Sequence, residues 1–150
     1  MVTSSTLSPQ IIGQAERALG ALMNRVLTAT GGTFPEWVAL TITVGGDAGD
    51  RERLVERLAE ALGVDAWAAS AIVSELIESD LLRTVPGSGQ HLILTERGQD
   101  RYGRIRAAID DVIGRLFGDA TDEDLATAGR VLSLVTARAR AELAEAWTLA

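Results

Sequence analysis

Apolar residues recur every three or four positions through most of this chain, and the rhythm falls to alternation once, past the middle. Ile11, Ile12, Ala15, Leu19, Leu22, Met23, Val26 and Leu27 share one helical face, started by Ser8-Pro9 and stopped by Gly31-Gly32. Ser can accept a hydrogen bond from an otherwise unpaired N–H. Pro fits the first turn, where its missing N–H costs nothing. Thr33 and Glu36 form a capping-box pattern that opens a helix carrying Trp37, Leu40 and Val44. The run GGDAGD at 45–50 predicts a turn.

Asp50 then caps a helix with Leu54, Val55, Leu58 and Leu62 on one side, ended by Gly63. Asp65 caps the next, whose apolar face is Ala69, Ile72, Val73 and Leu76. Only Gly63-Val64-Asp65 separates these two helices, which is the spacing of a helix-turn-helix. From Arg83 to Leu94, around Pro86-Gly87-Ser88-Gly89, the pattern predicts a β-hairpin with strands at 83–85 and 90–94. Thr95 caps a long helix bearing Tyr102, Ile105, Ile109, Val112 and Leu116, ended by Gly118. Thr121-Asp122-Glu123-Asp124 opens the last helix, with Leu125, Leu132, Val135, Leu143 and Trp147 in a near-heptad stripe.

The predicted fold is mainly α with a small β-hairpin. A winged helix-turn-helix occupies 33–95 of a single 1–150 chain, flanked by helices at 8–30 and 96–148. The stripes on the flanking helices are too long for so small a winged core to cover. A second copy is therefore the expected partner, with Leu125, Leu132, Val135, Leu143 and Trp147 as dimerisation residues.

Composition then removes whole classes of chemistry. Hydrophobic residues make up 47% of the 150, enough for a real core. No apolar run approaches the roughly 18 residues of a membrane span, and the start MVTSSTLSP lacks the features of a signal peptide. The expectation is a cytoplasmic protein with no membrane partner. The absence of Cys excludes disulfides, thiolate catalysis and Cys-based zinc sites. All 14 basic residues are Arg, so a P-loop with its usual Lys and Schiff-base chemistry are excluded as well. His91 is the only His. No cofactor, metal site or catalytic residue is assigned, and an enzyme is the less favoured reading.

The stretch LVERLAEALGVDAWAASAIVSELIESDLLR, followed by LILTERGQDRYGRIRAAID, resembles the MarR family of bacterial regulators, whose pattern there is "LA..L.v....s..v..Le..GLv.R", then a wing, then "LT..G". With the order of elements, the resemblance covers roughly residues 8–147. It implies an obligate homodimer built from the N- and C-terminal helices. It also implies a helix in the DNA major groove, a wing at the minor groove, and a small-molecule pocket between the dimerisation helices and the winged region. For that pocket the candidates are Met23, Leu27, Phe34, Trp37 and Tyr102, and an aromatic or lipophilic ligand is expected.

The helix at 65–78 departs from the family's chemistry. Its outward side carries Trp67, Ser70, Ala71, Ser74, Glu75 and Glu78, with no Arg or Lys. From 65 to 95 the four acids Asp65, Glu75, Glu78 and Asp80 stand against one Arg, Arg83. Base reading mostly uses Arg, Lys, Asn or Gln, and affinity rests on neutralised phosphates. The candidate DNA contacts are therefore Trp67, Ser70, Ala71, Ser74, Arg83, His91 and Arg51. The favoured function is a dimeric, ligand-responsive transcriptional regulator that binds double-stranded DNA. The alternative keeps the dimer and the pocket but has lost DNA binding, leaving a small-molecule binder or an unusual enzyme on a lipophilic metabolite.

Overall fold

The computed structural model describes residues 6–46 and 49–145, and over them the chain forms six helices and one hairpin. In order these are α1 (Pro9–Thr30), α2 (Phe34–Val44), α3 (Arg51–Leu62), α4 (Ala66–Glu78), β1 (Leu82–Thr84), β2 (Leu92–Leu94), α5 (Glu96–Phe117) and α6 (Asp122–Glu145). The chain divides into two compact units, Met1–Asp110 and Asp111–Ala150.

The helix boundaries follow the capping chemistry. Ser8 Oγ accepts from the Ile11 N–H at 3.4 Å, Asp50 Oδ1 from Arg53 at 2.9 Å, and Asp65 Oδ1 from Ala68 at 2.8 Å. Gly31 and Gly63 close α1 and α3 in the left-handed conformation. The Thr33–Glu36 capping box forms only by half. Thr33 Oγ1 accepts from the Glu36 N–H at 3.3 Å, but the Glu36 carboxylate turns away to Arg101 of α5, 3.3 Å from its Nη1. A guanidinium is a stronger partner for a carboxylate than a backbone amide at a solvated helix start.

The helix-turn-helix and the hairpin share one core. Leu40 from α2, Leu54 and Leu58 from α3, and Ala69, Val73 and Leu76 from α4 are joined there by Leu81, Leu82, Leu92 and Leu94. Each fully buried Leu or Val contributes about 1.5–3 kcal/mol, so the hairpin is fixed against the helices rather than hanging from them. A second cluster holds α5 to α1 and α2: Leu27, Ile105 and Ile109 are buried, with Met23, Val26 and Trp37 packed against them.

The hairpin is shorter than the pattern predicts, with register Leu82↔Leu94, Arg83↔Ile93 and Thr84↔Leu92. Gln90 and His91 leave the strand to meet a third edge. Asp50 and His91 form an antiparallel bridge, Arg51 N–H donates to Gln90 O at 3.0 Å, and Leu92 N–H to Gly49 O at 3.2 Å. The predicted turn at 45–50 thus ends by closing the wing onto the start of α3.

The connection from wing to α5 is tight. Thr95 N–H donates to Leu81 O at 3.1 Å, and Thr95 Oγ1 both donates to Asp80 O and accepts from Gly98 N–H at 2.9 Å. A Cβ on Gly98 would lie 2.1 Å from Leu81 O, so only Gly lets α5 approach this closely. Asp80 takes φ 59°, in the turn that ends α4, where the family pattern has Gly.

In the second unit, no residue of α6 is buried, and Leu125, Leu132, Val135 and Leu143 are exposed along it, as are Val131 and Leu134. Trp147, the last residue of the predicted stripe, lies outside the described residues.

Candidate nucleic-acid interface and ligand cavity

The burial of α4 separates two sets of side chains that the sequence grouped together. Trp67, 81% exposed, and Ala71, Glu75 and Glu78 face solvent. Ser70 and Ser74 are half-buried and turned toward α3. There Arg51 Nη2 donates to Ser74 Oγ at 2.8 Å and to Ser70 Oγ and Ser70 O at 3.3 Å. Arg51 sits in the first turn of α3, so one side chain links α3 to two successive turns of α4. Its backbone N–H, bonded to Gln90, adds the wing. The two hydroxyl oxygens accept from the guanidinium, which leaves each O–H free to donate elsewhere.

This linkage was not visible in the sequence. Arg51 is 19 and 23 residues from its partners, and it alternates with Glu52, Arg53 and Glu56 in a run that resembles a solvated helix face. A groove of about 460 Å³ runs beside it, lined by Arg51, Ser70, Ala66 and Gln90 and also by Glu52 and Glu56. Its charge is therefore mixed rather than basic. Arg83 on β1 and His91 at the wing base are both exposed. His91 is fixed through its backbone by the bridge to Asp50.

The five predicted pocket residues differ in their surroundings. Leu27 is fully buried with Ile105 and Ile109, and Met23 and Trp37 pack on the same cluster. Phe34 is 46% exposed at the start of α2. Trp37 and Tyr102 stack, with centroids 5.2 Å apart and planes within 12°. Tyr102 also lines a cavity of about 500 Å³ with Thr43, Val44, Ile93, Leu94 and Gln99, between α2, β2 and α5. Its hydroxyl oxygen accepts from Arg106 Nη1 at 3.3 Å, and Arg106 Nε also donates to Asp110. Those bonds to Tyr102 and Asp110 hold the Arg106 guanidinium more firmly protonated than usual.

Among the described residues, no group of three or more His, Cys, Asp or Glu is placed to hold a metal ion. No described helix is long and apolar enough to cross a membrane.

A MarR family protein of Mycobacterium tuberculosis, solved in complex with DNA, matches with a TM-score of 0.66 at 18% identity, covering 87% of this chain and 98% of that one. This chain has the MarR-type winged-helix fold. A structure of that mycobacterial protein with salicylic acid matches at 0.65 and 18% identity, covering 89% of this chain and 99% of that one. A MarR family transcriptional regulator from Silicibacter pomeroyi matches at 0.69 and 19% identity, covering 87% and 88%. No protein-family model matches the sequence, and no curated protein matches it. In MarR-type terms, α3 and α4 are the helix-turn-helix, β1 and β2 the wing, and α1, α5 and α6 the flanking helices.

Proposed function

We propose that this protein is a dimeric transcriptional regulator of the MarR type that works in the cytoplasm and binds double-stranded DNA with α4 and the wing. The observation that carries this reading is α4 itself. It stands on a complete helix-turn-helix core, with Trp67 and Ala71 presented outward and Ser70 and Ser74 oriented by Arg51. In this reading Trp67 and Ala71 make apolar contacts in the groove, and the serine hydroxyls donate to phosphate or base acceptors. Arg83 and His91 approach the backbone from the wing. Arg51 acts mainly by holding the serines.

Few cations on this face means few released counterions, so binding is expected to be weak with a shallow salt slope. The test is a titration of the purified protein against DNA from its own upstream region, from low to physiological salt. A shift at low salt that fades gently supports the reading; no shift at low salt overturns it.

Dimerisation is part of the proposal. It is supported by the exposed Leu125, Leu132, Val135 and Leu143, since a helix of this length with no buried residue needs a partner. Analytical ultracentrifugation of the protein and of Leu132→Asp tests it. The variant should be monomeric, and a monomeric parent protein would overturn the idea. Ligand responsiveness also belongs here: a small aromatic or lipophilic molecule binding one spacing of the two α4 helices better than another would shift DNA affinity.

One observation favours a second reading, in which DNA binding is lost and a small-molecule binder remains. The outward face of α4 and its flanks expose Asp65, Glu75, Glu78 and Asp80 against a single exposed Arg83. A protein that binds a lipophilic ligand tightly but gives no DNA shift at any salt would match it.

A further inference from the structure

A cleft of about 400 Å³ lies between the start of α2 and the last turns of α4, within the first unit and apart from the Tyr102 cavity. Its size is within the range of small-ligand sites. Pro35, Ile72, Leu76 and Leu81 supply apolar walls, and Glu36 and Glu75 supply one carboxylate each from opposite helices. Arg101 is the cation nearest to Glu36. It approaches from α5, outside the lining, where its Nη1 is 3.3 Å from Glu36 Oε1 and donates to Gly31 O. Glu36 Oε1 is buried on that side without a hydrogen bond. Glu75 has no ion-pair partner among the described residues. Arg101 is the counter-ion of Glu36 and Glu75 has none among the described residues, so the cleft carries one unpaired carboxylate beside apolar walls. Burial pushes the Glu36 carboxyl above its usual range, Arg101 pulls it down, and the charge of Glu75 raises it again. The two acids therefore repel each other across this space.

We infer that the α2–α4 cleft binds a small organic cation, an ammonium group on an apolar body, with the ammonium between Glu75 and Glu36. The walls match the body, and the uncompensated charge matches the head. An inorganic cation would leave the walls unused and would find only two carboxylates. A carboxylate ligand would meet like charge. One end of this site is on α4, so the occupant is in contact with the helix proposed to enter DNA. The inference rests on the regulator reading only for that consequence.

The test is calorimetric titration of the protein without DNA, using hexylammonium as the probe and hexanol as its neutral counterpart. Hexylammonium should bind at least about tenfold more tightly than hexanol, the factor expected for a charge-assisted contact. Glu75→Gln, an exposed position where folding is not at risk, should remove that preference. Glu78→Gln, one turn on and outside the cleft, should keep it. Equal binding of the two probes, retained preference in Glu75→Gln, loss in Glu78→Gln, or no binding of hexylammonium would each overturn the inference. Because DNA is absent, failure here leaves the DNA-binding reading intact. Failure to shift DNA likewise leaves cation binding to be read on its own.

Discussion

Arg51 Nη2 lies 2.8 Å from Ser74 Oγ, so the first turn of α3 holds the third turn of α4 by a bond from a charged donor to a half-buried hydroxyl. Such bonds are worth about 1.5–3 kcal/mol when made to a charged group. A double-mutant cycle with Arg51→Ala and Ser74→Ala should give a coupling of about 1 kcal/mol or more in denaturant unfolding. Additive effects would mean that the bond is not made in solution. The same variants bear on function: if Arg51 orients the serines rather than touching phosphate, Ser74→Ala and Arg51→Ala should weaken any DNA binding to a similar degree.

Gly98 is in the first turn of α5, and its Cα hydrogens face the Leu81 carbonyl. A methyl group there would sit 2.1 Å from Leu81 O, which is backbone and is also held by the Thr95 N–H. The wing or α5 must move to accept it. Gly98→Ala should therefore cost about 1–3 kcal/mol, the usual penalty for overpacking, although Ala is the better helix former. A melting temperature equal to the parent's would show that the approach is looser than the structure has it.

These two contacts also show where the sequence was legible. The "LT..G" resemblance marked Thr95 and Gly98. The close approach of Gly98 to Leu81 is long-range and was not legible, whereas the cap that joins Thr95 and Gly98 lies within four residues of chain. Helix starts at Ser8, Asp50 and Asp65, and the core face Ala69–Val73–Leu76, were legible for the same reason: capping and periodicity are local. The Arg51–Ser74 bond, the Arg101–Glu36 pair and the Gly49–Leu92 wing edge join residues far apart in sequence. Nothing in the neighbourhood of any one of them names its partner. Glu36 was read as half of a capping box because its near partner, Thr33, was the only one that the sequence placed beside it. Ser70 and Ser74 were grouped with Trp67 because helical spacing gives a face only approximately, and the position of α3 decides which edge of it is covered.

Asp80 occupies a left-handed conformation, φ 59°, between α4 and β1. The cost of that conformation is about 1–2 kcal/mol for a residue with a Cβ, reduced for Asp and absent for Gly. Asp80→Ala should be less stable than Asp80→Gly by about 1 kcal/mol, with the parent between them or close to the Gly variant. The reverse order in urea midpoints would mean that the turn is not held in this conformation.

Glu36 gives a pH dependence with a definite sign. Its carboxyl titrates above the usual carboxylate range, first because it is partly buried, with Arg101 opposing and Glu75 adding to the rise. A carboxyl raised in the folded state holds its proton more tightly there than in the unfolded chain. Its contribution to stability is therefore fully present below the unfolded value and is lost as pH rises through the folded one. Lowering the pH from neutral toward the ordinary Glu range should stabilise the parent relative to Glu36→Gln, which has no proton to gain. Arg101, 18% exposed in its side chain, loses its counter-ion in that variant at every pH, so the comparison isolates the titration as a slope rather than an offset. Denaturant unfolding of the two proteins at pH 7 and at pH 5 checks it: the gap between their midpoints should move in the parent's favour at the lower pH. A gap that stays constant, or moves the other way, would show that Arg101 outweighs burial and that the carboxylate is held charged.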